Sequence, residues 1–134
     1  MITLDQYYMG RDKQYPLDLT TDRRANAART VAAVNQLLGL YAAAGGDLSP
    51  HTVSSGWRPP AVNARTQGAA KRSNHMECRA CDLHDPQGKL DAWCMNNLQL
   101  LEECRLWLEH PDATPGWCHL QIVPPASGNR VFHP

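Results

Sequence analysis

The stretch that decides the interpretation of this chain spans residues 73–82, with the sequence Ser-Asn-His-Met-Glu-Cys-Arg-Ala-Cys-Asp. His75 and Asp82 lie seven residues apart in it, and His119 follows downstream in the segment Gly-Trp-Cys-His-Leu of residues 116–120. Two imidazoles and one carboxylate leave the fourth position of a tetrahedral zinc ion open, which distinguishes a catalytic zinc site from a closed structural one. We therefore predict that His75, Asp82 and His119 bind a catalytic Zn²⁺.

The segments on either side of this stretch predict a small sheet. Residues 80–83 predict a short strand that carries Asp82, and residues 117–123 predict a strand that carries His119. Further strands are predicted at residues 51–57, 106–108 and 131–134, the last at an edge. Because only a short loop separates residues 106–108 from the strand of His119, we expect these two strands to form a hairpin.

Two helices are predicted around these strands. The first begins near the capping residues 20–22 and ends at Gly45 and Gly46. Its apolar side chains recur at alternating spacings of four and three, at Ala27, Val31, Val34, Leu38 and Tyr41. The second covers residues 90–101. Residues 1–20 are expected to be irregular, and residues 61–74 to form a polar, basic loop.

The order of these elements indicates an α+β fold, a small antiparallel sheet with flanking helices and the zinc site on the sheet. A chain of 134 residues is long enough to bury one core, so we expect a single domain over residues 1–134. Mixed elements of this kind also fit a chain that folds without disulfides or other staples.

Composition limits the possible partners. The 13 Lys and Arg residues balance the 13 Asp and Glu residues, which argues against a general nucleic-acid-binding protein. No apolar run approaches membrane-spanning length, so no membrane insertion is expected. The first ten residues lack a basic region followed by an apolar one, and we expect cytoplasmic synthesis without a signal peptide. We further expect a monomer.

The cysteine pattern has two interpretations. The chain has five cysteines, at positions 78, 81, 94, 104 and 118. The odd count argues against a disulfide framework, and we expect buried, reduced thiols that pack as small apolar side chains. The spacing Cys78-x-x-Cys81 also allows a redox or structural zinc motif. Cys118 is expected to point away from the ligand face, because it neighbours His119 on a strand.

Three motifs in order resemble a known family. Ser73, His75, Ala80 and Asp82 match a pattern of Ser followed by His-x-x-Gly-x-Ala-x-Asp, with Cys78 at the glycine position. Residues 117–119 match Trp-x-His, and residues 55–58 match Ser-Gly-Tyr/Trp-Arg. The chain thus resembles the zinc D-alanyl-D-alanine carboxypeptidase family, which includes phage endolysins that cut the peptide stems of peptidoglycan.

The resemblance implies roles for individual residues. His75, Asp82 and His119 would be the zinc ligands in a fold like that of the carboxypeptidases and of hedgehog proteins. Arg58 would bind a substrate carboxylate, although a structural ion pair is the alternative. Ser73 would order the substrate or the ligand loop. Asn63 and the basic residues around 71–72 would hold the acidic stem peptide, unless they form a solvated loop.

The general base is missing from its usual place. Many family members have Glu or Asp three residues before the last ligand histidine, where this chain has Gly116, and another branch has His where this chain has Trp117. In the expected hairpin, a residue on the first strand faces His119 on the second. Glu109 is therefore our first candidate, followed by His110 and Asp112. A weaker candidate, next to the ligand loop, is Glu77.

The function expected from the resemblance is zinc-dependent hydrolysis of peptide bonds in peptidoglycan stem peptides. The enzyme would be a phage- or prophage-type hydrolase for cell-wall degradation, a D,D- or L,D-type carboxypeptidase or endopeptidase. It would act on the cell wall, in the periplasm, after holin- or phage-mediated release. The alternative is a non-catalytic module that retains zinc and binds the cell wall or serves a phage structure.

Overall fold

Five short strands form one mixed sheet in the computed structural model, which describes residues 1–134. The strands lie in the order β1-β2-β4-β3-β5. Their bounds are β1 Val53–Ser55, β2 Ala80–His84, β3 Trp107–Glu109, β4 Trp117–Gln121 and β5 Val131–Phe132. The fold is mixed α/β, and the predicted hairpin is confirmed, because β3 and β4 pair antiparallel.

The prediction of an all-antiparallel sheet is wrong at one edge. The pairings β1–β2, β2–β4 and β3–β4 are antiparallel, whereas β3 and β5 are parallel. After β4, residues 122–130 connect to β5, which pairs on the far side of β3. A two-residue strand carries too little pattern to reveal its direction from sequence.

The longest helix is the one that the sequence predicts most clearly. It begins after Thr20, whose side chain accepts a hydrogen bond from the backbone N–H of Arg23, and it spans Thr21–Ala43. All five residues of the predicted apolar stripe are buried. Gly45, just beyond the end, has φ +93°, a conformation that favours glycine. None of the helices combines the length and apolarity needed to cross a membrane.

The shorter helices depart from the predictions. In chain order the helices are α1 Leu4–Tyr8, α2 Arg11–Gln14, α3 Thr21–Ala43, α4 Pro60–Ala64, α5 Lys89–Met95 and α6 Leu98–Glu103, with a 3₁₀ turn at Pro111–Ala113. Residues 1–20 and 61–74 are therefore not wholly irregular, and the second predicted helix is broken near Asn97. Helices of four or five residues are too short for a periodic signal.

Buried hydrogen bonds hold the helices against the segment that carries the predicted ligands. The hydroxyl of Tyr7 in α1 donates to the carbonyl oxygen of Ala80 at 2.8 Å. The hydroxyl of Thr30 in α3 donates to the carbonyl oxygen of Cys78 at 2.7 Å. Both donors are fully buried. Since such bonds are expensive to leave unmade, they fix the position of residues 78–80 relative to the core.

Candidate metal centre

The structure brings His75, Asp82 and His119 together. Asp82 on β2 and His119 on β4 are direct partners in the sheet register, so their side chains leave the same face. His75 reaches them from the loop before β2. One potential ligand atom from each residue lies within 4.8 Å of the others. His119 Nδ1 is 2.7 Å from Asp82 Oδ1, and His75 Nε2 is 3.3 Å from Asp82 Oδ2.

The two imidazoles are oriented by acceptors outside the cluster. His75 Nδ1 lies 2.8 Å from the carbonyl oxygen of Gly56, so it donates its proton there and leaves the Nε2 lone pair free. That Nε2 is buried and has no hydrogen-bond partner. His119 Nε2 lies 3.0 Å from Gln121 Oε1, which leaves Nδ1 toward Asp82. Metal-binding histidines are held in this way.

The electrostatics favour the ionisation state that a metal requires at Asp82 and at His75, whereas His119 must lose a proton to bind one. Burial alone would raise the pKa of Asp82, but His75 and His119 hold it well below its usual range. Burial lowers the pKa of His75. Burial opposes the charged form of His119 as well, but the hydrogen bond with Asp82 raises its pKa overall. The Asp82 carboxylate and the neutral imidazole of His75, whose buried Nε2 has no partner, fit Zn²⁺, and His119 completes the donor set once it releases its Nδ1 proton.

Glu109 is the only proposed base that lies beside the cluster. A cavity of about 510 Å³ is bordered by His75, Asp82 and His119, and also by Glu109. Glu109 Oε2 lies 3.9 Å from His119 Nδ1, as the hairpin register predicts. Burial raises the pKa of Glu109. The position of this carboxylate suits proton transfer in the cavity, although its catalytic role stays a prediction.

His110 and Asp112 lie apart from the cavity, on the 3₁₀ turn. His110 stacks on His133 with ring centroids 4.5 Å apart, and its Nδ1 accepts the backbone N–H of Asp112 at 3.1 Å. The side chain of Asp112 is exposed. The third alternative, Glu77, forms an ion pair with Arg23 at 2.9 Å. These contacts give all three residues structural roles away from the cluster.

The proposed substrate-binding residues divide between two locations. Arg58 and Ser73 line the cavity, where Arg58 Nη2 donates to Ser73 Oγ at 3.0 Å. Ser73 Oγ also accepts the backbone N–H of His75 at 3.2 Å, so it orders the ligand loop. Asn63 is buried outside the cavity lining, and its side chain donates to the carbonyl of Ala70 at 2.9 Å. The structure therefore places Asn63 where it closes the loop of residues 63–70.

The cysteines take no part in the cluster. All five are free and buried, as expected, and His75, Asp82 and His119 form the only group of three or more potential metal ligands. Cys78 has φ +58°. This left-handed conformation explains why the matching pattern has glycine there, since a side chain at such a φ is strained.

Two contributions were not predicted from sequence. Asn74 donates to Gln121 Oε1 at 3.3 Å and so belongs to the chain of hydrogen bonds that ends at His119. Gly56 is required by space, because a Cβ there would overlap the carbonyl of Tyr7. The glycine of the Ser-Gly-Trp-Arg motif was a signal for such a close approach, whereas nothing in the sequence pointed to Asn74.

One comparison with known proteins gives a match. A family model described as Peptidase M15 matches residues 13–105, which is more than half of the chain. The chain belongs to the peptidase M15 family. Membership indicates a metallopeptidase, and peptidases of the M15 family are typically zinc-dependent. The match contains Arg58, His75 and Asp82, whereas Glu109 and His119 lie beyond it and join the site through the sheet.

The other two comparisons add no relative. No curated protein matches the chain, and no solved structure matches it.

Proposed function

We propose that this chain is a zinc-dependent hydrolase of peptide bonds in peptidoglycan stem peptides, a D,D- or L,D-type carboxypeptidase or endopeptidase. The observation that carries the proposal is the convergence of His75, Asp82 and His119 beside Glu109 in one cavity of an M15 family member. A bound Zn²⁺ would polarise the peptide carbonyl and lower the pKa of an attacking water to roughly 7.

The residues of the chain supply the proton transfer. In the proposal, a carboxylate oxygen of Glu109 takes a proton from the attacking water and returns it to the nitrogen of the leaving amine. Phe132 and Ala113 line the same cavity as this carboxylate. General base catalysis of this kind contributes about 10²–10⁴-fold to the rate.

Arg58 and Ser73 are proposed to bind the substrate. The guanidinium of Arg58 matches the fork of a carboxylate, and its hydrogen bond to Ser73 holds it at the cavity wall. The hydrogen bond to Ser73 uses one of the five N–H donors of the guanidinium, so others remain for a ligand. Arg72 lines the same cavity and adds positive charge for an acidic stem peptide.

We also propose a phage- or prophage-type role in cell-wall lysis, with the monomeric enzyme made in the cytoplasm and released to the wall of the periplasm by a holin or a phage. Support comes from the resemblance to endolysins. Lysis from within, by expression with and without a holin, tests this role separately from the chemistry.

The chemistry is tested by digestion of defined muropeptides, followed by mass spectrometry. The zinc-loaded protein is expected to release fragments that a chelator abolishes and added Zn²⁺ restores. His75→Ala should lose both bound zinc and cleavage, whereas His133→Ala, which changes an exposed histidine, should retain both. Full cleavage by a zinc-free protein would contradict the proposal, and the fragment masses identify the bond that is cut.

One observation favours a second candidate function, a non-catalytic module that retains zinc and binds the cell wall. Gly116 stands where many family members have an acidic base. In this case the purified protein binds Zn²⁺ and sediments with cell walls, but the muropeptides remain intact. The same digest therefore separates the two candidates.

A further inference from the structure

A second cavity of about 420 Å³ adjoins the metal cluster. Arg58, Asp82 and Trp117 line both this cavity and the larger one. Arg11 lines only the smaller cavity. A ligand that reaches Asp82 can therefore extend toward Arg11.

The smaller cavity carries more positive than negative charge, because two arginines line it beside the single carboxylate of Asp82. Arg11 and Arg58 both line it, and neither takes part in an ion pair. Burial, and then the nearby charges of Arg58 and Arg65, lower the pKa of Arg11. By contrast, Arg23 has its partner in Glu77 at 2.9 Å. Unbalanced guanidinium groups in a partly buried cavity favour an anionic ligand.

Both guanidiniums are held in place and still have donors to spare. Arg11 Nη1 donates to the carbonyl of Trp57 at 2.8 Å, and Arg58 Nη2 donates to Ser73. Each guanidinium has five N–H donors, so most remain available. Such a pair, fixed by contacts with the protein, can bind a carboxylate without first losing much conformational entropy.

We propose that Arg11 and Arg58 together form a subsite for the terminal carboxylate of the stem peptide, with Arg11 as a specificity-determining residue. The inference rests on the proposed peptidase function and adds Arg11 to it. The subsite distinguishes a peptide that ends in a free carboxylate from one whose end is amidated or extended. Arg11 belongs to α2 and lies 46 residues before its hydrogen-bond partner Trp57.

Gly116 adds no side chain, and therefore no carboxylate, to this subsite. It lines the smaller cavity, and a Cβ at this position would meet no atom within 4 Å. The acidic residue that many family members have at this position would place a carboxylate close to the two arginines. Its absence leaves them free for the substrate.

The experiment compares two stem peptides that differ only at the C-terminus, one with a free carboxylate and one with a carboxamide. The full-length, zinc-loaded protein is expected to have a kcat/KM for the carboxylate peptide roughly tenfold or more above that for the carboxamide. Arg11→Ala should remove most of this preference, mainly through KM, and Arg11→Lys should restore it in part. Arg24→Ala, at an exposed arginine without ion pairs, is the matched control.

A second pair of variants tests the charge of the cavity itself. Asp and Asn have the same shape, so the strain of a side chain at the positive φ of +94° at Gly116 is common to the two variants. Gly116→Asp is expected to weaken binding of the carboxylate peptide relative to Gly116→Asn, while the carboxamide peptide binds both variants equally. Equal effects of the two substitutions on the carboxylate peptide would count against the subsite.

The outcomes separate this inference from the proposed function. If Arg11→Ala lowers kcat/KM equally for both peptides, Arg11 only supports the segment of Trp57, and the inference is overturned while the peptidase function stands. If the wild-type protein cleaves neither peptide, the peptidase function fails. The Kd values of the two uncleaved peptides, measured by calorimetry, then test the subsite. Tighter binding of the carboxylate peptide that is lost in Arg11→Ala supports the subsite, and equal binding of the two peptides by the wild-type protein overturns it.

Discussion

Gln121 is expected to control zinc affinity through His119. Its Oε1 lies 3.0 Å from His119 Nε2, and its amide nitrogen donates to the carbonyl of Val123 at 2.8 Å. These bonds fix the amide orientation, so Oε1 accepts the Nε2 proton and the Nδ1 lone pair remains for the metal. Gln121→Ala would leave that Nε2–H without a partner when the metal binds, in a site where both residues are buried.

The expected size of the effect follows from that lost hydrogen bond. An unsatisfied buried donor costs about 1–3 kcal/mol, which corresponds to a decrease in zinc affinity of roughly 5–150-fold. Substitutions of such outer partners of metal ligands have effects of about 10–100-fold. Gln121→Glu keeps the acceptor and adds negative charge, so we expect it to retain zinc affinity or increase it.

The assay is competition for Zn²⁺ between the purified protein and a chromophoric chelator, which requires no turnover. Gln87→Ala is the matched control, since Gln87 is exposed and makes no side-chain hydrogen bond. If Gln121→Ala and Gln87→Ala bind zinc with the same affinity as the wild-type protein, the hydrogen bond does not orient His119. A loss in Gln121→Glu as large as in Gln121→Ala would also refute the reasoning.

Three further predictions concern proton transfer, backbone strain and pH. Glu109→Gln should keep bound zinc but lower kcat about 10²–10⁴-fold, with the exposed Glu102→Gln as control, and full activity would remove Glu109 as the base. Cys78→Gly should be more stable to urea than Cys78→Ala by about 1 kcal/mol, because only glycine is unstrained at φ +58°; the reverse order would refute this strain. Burial raises the pKa of Asp91 to about 6, so the folded state binds a proton more tightly than the unfolded state does. The stability that this protonation contributes, at most about 3 kcal/mol, should therefore be present near pH 4 and lost as pH rises through 6. Asp91→Asn should remove this pH dependence from the free energies of unfolding measured with urea, and parallel pH profiles of the variant and the wild-type protein would refute the prediction.

The sequence predicted the centre of this fold better than its periphery. The stripe from Ala27 to Tyr41 is long enough for its periodicity to define α3, and the strands of Asp82 and His119 were placed correctly. The antiparallel pairing of β3 with β4 places Glu109 beside the cluster, as the predicted hairpin had indicated. In each case the information is local, or spans one short loop.

Long-range contacts account for what the sequence did not reveal. Arg11 reaches Trp57, and Tyr7 reaches Ala80, across large separations in the chain. Their positions depend on how two short helices pack, which no residue pattern reports. The choice among Glu109, His110 and Asp112 also needed the structure, because only the exact end of β3 decides which side chain faces His119.

The contact between Tyr7 and the ligand-bearing strand has a practical consequence for how fragments of this protein are designed. The family match covers residues 13–105, and a fragment cut to those limits would lack the buried Tyr7 hydroxyl, Arg11, His119 and Gln121. It would retain His75 and Asp82, but the strand of Asp82 would lack its neighbour β4. Boundaries for expression are better taken from the sheet and its supporting helix than from the matched segment.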